Sequence, residues 1–171
     1  MSKFTLRNIF ETDQDTFWNQ VFFDEEYNRR LYLDALKFKG FELIELTGEP
    51  GGVRTRKIRT EPRSEAPTVV TKLIGGSLSY VEDGRFDPTT KKWTYTITTS
   101  KLSEKVKISG VFWVEPRGEK RIERICDCTV EVKIFGVGGT VESFIEKTTR
   151  ESYEDAARFT NAFIREKGYG A

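Results

Sequence analysis

Residues 119–167 of this chain read EKRIERICDCTVEVKIFGVGGTVESFIEKTTRESYEDAARFTNAFIREK, and this stretch decides the fold. Before Gly136, apolar residues alternate with polar ones, as around Cys126 and Cys128, which is the pattern of a half-buried strand. After Gly139, apolar residues recur at steps of three and four, and neither Gly nor Pro interrupts that pattern. The stretch therefore predicts a long strand that turns into one amphipathic helix of about 28 residues, roughly 40 Å long.

The region before this stretch shows the alternation of further strands. Strands are predicted over residues 4–11, 38–47, 52–61, 77–86, 92–100 and 105–115, with Gly and Pro in most of the turns between them. Strands that follow one another through short turns pair antiparallel, because parallel neighbours need long crossovers. The predicted fold class is α+β, with an antiparallel sheet of about six to seven strands and a long C-terminal helix.

Two short helices are predicted between the first two strands. Thr12, with Asp15 three residues later, resembles a capping box and predicts the start of the first helix. Asp24 is the predicted N-cap of the second helix. Farther along, Pro67 predicts the start of a single helical turn that ends at Gly75.

Composition limits the chemistry that this chain can perform. Its 171 residues are expected to form one domain over residues 1–171. Lys and Arg number 28 and Asp and Glu number 27, so no nucleic-acid partner is expected from overall charge. The chain has no histidine, which excludes Ser-His-Asp and Cys-His catalysis and removes the commonest metal ligand.

Three other absences shape the expectations. Cys126 and Cys128 are expected to be reduced core thiols that cannot complete a zinc site, so no metal is expected. No βαβ unit follows the glycines at 136–139, so no dinucleotide cofactor is expected. The N-terminus has no secretory pattern and no apolar run approaches about 18 residues, so a cytoplasmic protein is expected.

Three stretches of this sequence resemble a known superfamily. They are 67–75 (PTVVTKLIG), 80–87 (YVEDGRFD) and 130–142 (VEVKIFGVGGTVE). With the order of predicted elements, they resemble the START-like (SRPBCC, helix-grip) superfamily and, within it, a bacterial group called domain of unknown function 2505. That group usually has proline where Phe135 stands. The resemblance implies a curved sheet wrapped around the C-terminal helix and a deep cavity that binds or transfers a hydrophobic ligand, and it implies no catalytic residues.

The middle of the C-terminal helix predicts room for such a ligand. Bulky apolar residues stand at both ends of its inward stripe, whereas Thr148, Ser152 and Ala156 in the middle are small. Aromatic side chains of the sheet would fill the same space in a solid core, and the resemblance favours a cavity. The residues predicted to line it are Tyr80, Glu82, Trp93, Tyr95, Phe112, Val130, Ile145, Thr148, Ser152, Ala156 and Phe159.

One strand also carries residues of the kind used in acid–base chemistry. Alternation places Tyr80 and Glu82 on one face and Asp83 on the other. At most one of these acids can therefore join a catalytic site, and cross-strand pairing or solvent exposure is the favoured explanation of them.

The densest run of positive charge lies in residues 54–63. Arg54, Arg56 and Arg59 are predicted to contact anionic lipid headgroups near the cavity mouth. Nucleic acid is the weaker alternative, because the run lacks interleaved aromatic residues for base stacking. A solvated edge strand without a partner is the interpretation that the sequence favours most.

The sequence favours a protein that binds a hydrophobic or amphipathic small molecule such as a lipid, sterol or polyketide. Burial of about 400 Å² of apolar ligand surface contributes roughly 10 kcal/mol before association costs of about 4 kcal/mol or more, which is enough for micromolar binding. The alternatives are an enzyme similar to polyketide cyclases or hydrolases, working through a Tyr or a carboxylate, and a protein-interaction module with a filled core.

Overall fold

The computed structural model describes residues 1–63 and 65–170. The strands are β1 (Ser2–Phe10), β2 (Gly40–Thr47), β3 (Arg54–Glu61), β4 (Tyr80–Asp87), β5 (Lys92–Thr99), β6 (Val106–Pro116) and β7 (Ile122–Val132). The α-helices are α1 (Gln14–Thr16), α2 (Glu25–Arg30), α3 (Thr68–Ile74) and α4 (Gly138–Lys167). Two π-helical segments, Phe17–Phe22 and Leu31–Ala35, continue α1 and α2.

All seven strands form one curved antiparallel sheet in the order β1-β7-β6-β5-β4-β3-β2. From β2 to β7 each strand pairs with its successor, and β1 joins β7 at the far edge. The predicted α+β class, the antiparallel sheet, the long C-terminal helix and the short helices after the first strand are all confirmed. This is the helix-grip fold.

The helix caps follow the sequence prediction at one site and depart from it at another. Asp24 caps α2 as predicted, since its carboxylate accepts a hydrogen bond from the backbone of Glu26 at 3.2 Å. The prediction for Thr12 is wrong: Asp13 caps α1 and accepts from the backbone of Thr16 at 2.9 Å. Thr12 is instead buried and donates its hydroxyl to the Tyr169 carbonyl, which fixes the chain end to this loop.

Helix α4 crosses one side of the concave face of the sheet. Its 30 residues span about 45 Å and pack mainly against β1, β7 and the π-helical segment Leu31–Ala35. A buried hydrogen bond between the hydroxyls of Tyr27 and Thr160, 2.7 Å long, joins α2 to α4. The position of α4 leaves the central strands less covered than β1 and β7.

Aromatic side chains fill one end of the interior. Trp18 stacks on Phe112 with ring centroids 5.5 Å apart and lies 4.4 Å from Phe86. Phe22 meets Trp93 edge to face at 5.1 Å. These rings come from the first π-helical segment and from β4, β5 and β6, so the short helices close this end of the sheet.

Candidate functional site

The strand registers place the inward residues in rows across the concave face. One row runs through the filled end and contains Arg54, Phe86, Trp93, Phe112 and Cys126. The next row contains Arg56, Gly84, Tyr95, Gly110 and Cys128. The third contains Ile58, Glu82, Ile97, Ile108 and Val130.

In the third row, Ile58 and Val130 at the two ends are buried, and the residues between them are partly exposed. Ile97 and Ile108 face each other on β5 and β6, near the centre of the sheet, and both are only half-buried. Their strand neighbours Thr96 and Ser109 are exposed on the convex face, so the isoleucines belong to the concave one. Trp93 and Phe112, at the filled end of the same two strands, are buried. The interior is therefore less completely filled at Ile97 and Ile108 than at Trp93 and Phe112, while Thr99 and Val106, at the far ends of the two strands, are buried again.

Two glycines hold the aromatic side chains of β5 in place. A Cβ at Gly84 would collide with the indole of Trp93, and a Cβ at Gly110 would collide with the phenol of Tyr95. Each ring therefore lies flat over the backbone of the neighbouring strand, which only glycine allows at this distance. This arrangement carries the Tyr95 hydroxyl across β6 to the cysteines of β7.

A thiol and phenol cluster lies where Tyr95 ends. The Tyr95 hydroxyl is 3.6 Å from both Cys126 Sγ and Cys128 Sγ, and the two sulfurs are 3.5 Å apart. Tyr153 of α4 places its hydroxyl 3.5 Å from Cys126 Sγ and 3.5 Å from the Tyr95 hydroxyl. Neither cysteine is in a disulfide, and both are buried.

Hydrogen bonding and burial shift the pKa values of the cluster members in different directions. The hydrogen bond shared with Cys128 lowers the pKa of the Cys126 thiol and raises that of Cys128, because the thiol that keeps its proton stabilises the neighbouring thiolate. Burial raises the pKa of Tyr95 and Tyr153. The phenols therefore keep their protons at neutral pH.

Arg124 brings a positive charge to the wall behind this cluster. Its guanidinium lies 4.4 Å from the ring of Tyr153 and 5.0 Å from that of Phe10, and it donates to Asn8 Oδ1 at 2.9 Å. Among the described residues, no carboxylate lies within ion-pair distance of this buried guanidinium. The aromatic faces supply the compensating negative potential.

On the other side of the open region, Arg56 and Glu82 form a largely buried ion pair. Arg56 Nη2 donates to Glu82 Oε1 at 3.0 Å, and the Glu82 side chain is 15% exposed against 3% for Arg56. The other terminal nitrogen donates to the Phe22 carbonyl and to Asn28 Oδ1, at 3.0 and 3.1 Å. Burial raises the pKa of Tyr80, which belongs to the same strand, to about 12.

The burial of Arg56 corrects the predicted headgroup contact. β2 is the edge strand and β3 lies inside it, so residues 54–61 are not a solvated edge. Arg54 and Arg56 face inward, with Arg54 over the Phe23 ring at 4.4 Å, while Arg59 points outward and pairs with Glu42. Arg56 cannot contact a headgroup, and the three arginines do not form one surface.

The predicted lining residues fall into two groups. Trp93, Tyr95, Phe112, Val130 and Ala156 are buried in the packed part of the interior. The half-buried ones are Tyr80, Glu82, Ile145, Thr148, Ser152 and Phe159.

Three of the predicted residues of α4 have different surroundings. Thr148 donates its hydroxyl to the backbone carbonyl of Phe144 at 3.0 Å, so this hydroxyl is used within the helix. Phe159 stacks on Tyr27 of α2 at 5.8 Å, away from the open region. Ser152 shares the helix face of Val141 and Ala156 and is half-buried.

Two shallow depressions lie on the outside of the molecule. One of about 350 Å³ follows the outer side of α4 between Ser143 and Glu154. The other, of about 620 Å³, lies on the convex face of β3, β4 and β5 and is lined by residues that include Thr55, Asp83 and Thr94. Neither is between the sheet and α4.

In residues 1–63 and 65–170, no helix is both long and apolar enough to cross a membrane. Within the same ranges, no three metal-ligating His, Cys, Asp or Glu side chains come together.

The family described as "Protein of unknown function (DUF2505)" matches residues 8–164. The chain belongs to this family. No curated protein matches the sequence.

Solved structures show the same fold at low sequence identity. The Zhui aromatase/cyclase of Streptomyces sp. R1128 is 14% identical with a TM-score of 0.63, covering 96% of this chain and 94% of the other. A START superfamily protein of Mycobacterium smegmatis is 14% identical with a TM-score of 0.58, covering 96% and 97%. Norcoclaurine synthase of Thalictrum flavum, solved with dopamine and hydroxybenzaldehyde, is 16% identical with a TM-score of 0.63, covering 96% and 87%.

Sequence reasoning missed Arg124 and Tyr153. Arg124 has the same strand parity as Cys126 and Cys128, so alternation alone assigns it to the inward face. Tyr153 had no such signal, because it lies at the border of the inward stripe of α4 and reaches the cysteines only through the length of its side chain.

Proposed function

We propose that this protein binds a hydrophobic or amphipathic small molecule between the concave face of the sheet and α4. The observation that carries the proposal is the partial exposure of Ile97 and Ile108. Apolar side chains at the centre of a sheet are normally covered by the layer packed on it. Here α4 lies over β1 and β7, and an apolar ligand would cover the two isoleucines instead.

The polar groups beside this apolar floor favour an amphipathic ligand. The partly exposed side chains of Glu82 and Tyr153 stand on either side, and the buried Arg56, Tyr95 and Cys128 lie behind them. A mostly apolar site with a few convergent polar groups is typical of small-molecule binding sites. A lipid, a sterol or a polyketide offers such a pattern of apolar area and isolated oxygen atoms.

Substitution of Ser152 tests the proposal because it adds bulk on the inward face of α4. If the space beside it is open, Ser152→Phe should abolish binding of the fluorescent apolar probe anilinonaphthalene sulfonate and leave the melting temperature unchanged or raised. In a filled core the same change overpacks the interior, which costs about 1–3 kcal/mol and lowers the melting temperature by several degrees.

Ser143→Phe is the matched control, since Ser143 is exposed on the outer side of the same helix. It should change neither probe binding nor melting. Native mass spectrometry of protein purified without detergent would identify a ligand that co-purifies. A wild type without probe binding, together with a destabilised Ser152→Phe variant, would favour the interaction module.

A further inference from the structure

We infer that the end of the molecule formed by the β5–β6 turn, the β7–α4 turn and the C-terminus of α3 is a docking surface for an anionic membrane, with Phe135 as its apolar anchor. We call it the turn surface; it comprises residues 71–79, 99–107 and 131–140. The inference rests on the proposed function in one respect: docking would bring the protein to a ligand that is held in a membrane.

Phe135 is the feature that calls for an explanation. Its side chain is fully exposed in the turn between β7 and α4. Ile134 and Val137 flank it in the same turn and are only half-buried, as is Leu102 in the β5–β6 turn. One exposed apolar side chain is common, but a fully exposed phenylalanine beside partly buried apolar neighbours places apolar surface in water at an unfavourable free energy.

Hydrogen bonds join the three segments into one surface. The backbone N–H of Lys133 donates to the Lys105 carbonyl at 2.8 Å, which links the β7–α4 turn to the β5–β6 turn. Lys101 Nζ donates to the Ile74 carbonyl at 2.7 Å, which links the β5–β6 turn to the end of α3. Phe135 therefore projects from a connected and structured surface.

The charge of the turn surface complements an anionic membrane. Its residues include five lysines and no arginine against two glutamates, a net charge of +3 in a chain whose total is +1. The Lys133 side chain is 69% exposed, and Lys72, Lys105 and Lys107 are exposed as well. Exposed lysines around an aromatic side chain are typical of proteins that lie on anionic lipid, where each basic residue contributes about 1 kcal/mol.

The turn surface lies on the side of Ile97 and Ile108 that faces away from the aromatic filling. Ile97 is two residues from the end of β5, and Ile108 is two residues from the start of β6, so both lie toward the β5–β6 turn. The aromatic filling at Trp93 and Phe112 occupies the opposite end of these strands. A ligand moving between the open region and a membrane would have the shorter path through the turn surface.

Vesicle co-sedimentation tests the inference. Wild-type protein should bind vesicles that contain phosphatidylglycerol more tightly than vesicles of phosphatidylcholine alone, and added salt should weaken the binding. Phe135→Ser should weaken it by about tenfold or more, as expected from the apolar surface of one phenylalanine. Lys133→Gln and Lys105→Gln should each weaken it about fivefold.

Val53→Ser is the matched control, because Val53 is an exposed apolar residue in the β2–β3 hairpin, 43% exposed and outside the turn surface. It should leave vesicle binding unchanged. Equal binding of wild type and Phe135→Ser, equal binding to both kinds of vesicle, or no binding at all would each overturn the inference. So would a dimer that depends on Phe135 in the absence of vesicles.

Probe binding measured without vesicles keeps the two proposals apart. Phe135→Ser should bind anilinonaphthalene sulfonate as the wild type does, because Phe135 does not face the interior. Loss of vesicle binding with normal probe binding supports the turn surface. Normal vesicle binding by a wild type that binds no probe would reject the proposed function and leave the docking surface standing.

Discussion

The buried ion pair between Arg56 and Glu82 gives the sharpest test of how the interior is built. Glu82→Gln removes one charge while keeping the size of the side chain. Arg56 would then stay 3% exposed, with the Phe22 carbonyl and Asn28 as its hydrogen-bond partners but with no carboxylate. The phenylalanine ring 4.4 Å from its guanidinium would compensate part of the charge.

The size of the effect follows from burial. Removal of one partner from a buried ion pair typically costs 3–5 kcal/mol, because it leaves the other charge uncompensated. Glu82 is 15% exposed, and the glutamine oxygen can still accept the hydrogen bond from Arg56. We therefore expect a loss of about 2–3 kcal/mol in the free energy of unfolding.

The assay is urea unfolding of Glu82→Gln beside Glu42→Gln. Glu42 pairs with Arg59 on the neighbouring strands β2 and β3, but both side chains are at least half exposed, at 59% and 50%. The same chemical change there should cost no more than about 1 kcal/mol, as for other surface pairs. A third variant, Glu82→Gln with Arg56→Met, removes the unpaired charge and should recover part of the loss.

Equal losses for Glu82→Gln and Glu42→Gln would refute this reasoning. Such a result would mean that water reaches Arg56 through the open region and solvates the guanidinium. Failure of the Arg56→Met change to recover stability would instead show that the hydrogen bonds to Phe22 and Asn28, and not the charge, account for the loss.

Two further predictions concern packing and capping. Gly110→Ala should lower the free energy of unfolding by about 1–3 kcal/mol because the added methyl group collides with Tyr95. Gly139→Ala, with no atom near its new Cβ, should raise it by about 0.5 kcal/mol. Thermal melting of both variants checks this. Asp13→Ala should cost about 1 kcal/mol near neutral pH through loss of the α1 cap. A hydrogen bond from the backbone of Thr16 lowers the pKa of Asp13 in the folded state, so the charged cap contributes its stability above the ordinary value of 3.8 and loses it as pH falls through the lower folded pKa. The difference between wild type and Asp13→Ala in urea unfolding should therefore be smaller near pH 3 than near pH 7.

Most of the architecture could be predicted from the sequence because the hydrophobic patterns of its strands and of α4 are periodic and local. Alternation located all seven strands, and the change to helical spacing located α4. The errors came where two local signals competed. Thr12 and Asp13 are both good caps, and only the docking of Tyr169 on Thr12 decides between them.

The site was harder to predict because the run of basic residues suggests an exposed strand, whereas strand alternation places some of these residues on the inward face. A run of basic residues suggests surface, but Arg56 alternates with Lys57 and so points into the sheet's concave face. The same parity applies to Arg124. The carboxylate that pairs with Arg56 and the Tyr153 ring that lies under Arg124 are each more than 20 positions away in the sequence. No local pattern contains that information.

The burial of Cys126 and Cys128 gives this protein an internal reporter of its own opening. One sulfur-bearing side chain is 0% exposed and the other 4%, so a thiol reagent in solution can reach them only when the sheet and α4 move apart. The labelling rate under native conditions therefore measures how often the interior opens, in the way that amide exchange measures local unfolding. A molecule bound over Ile97 and Ile108 would lower that rate without touching either sulfur, so thiol labelling can detect occupancy before the occupant is known.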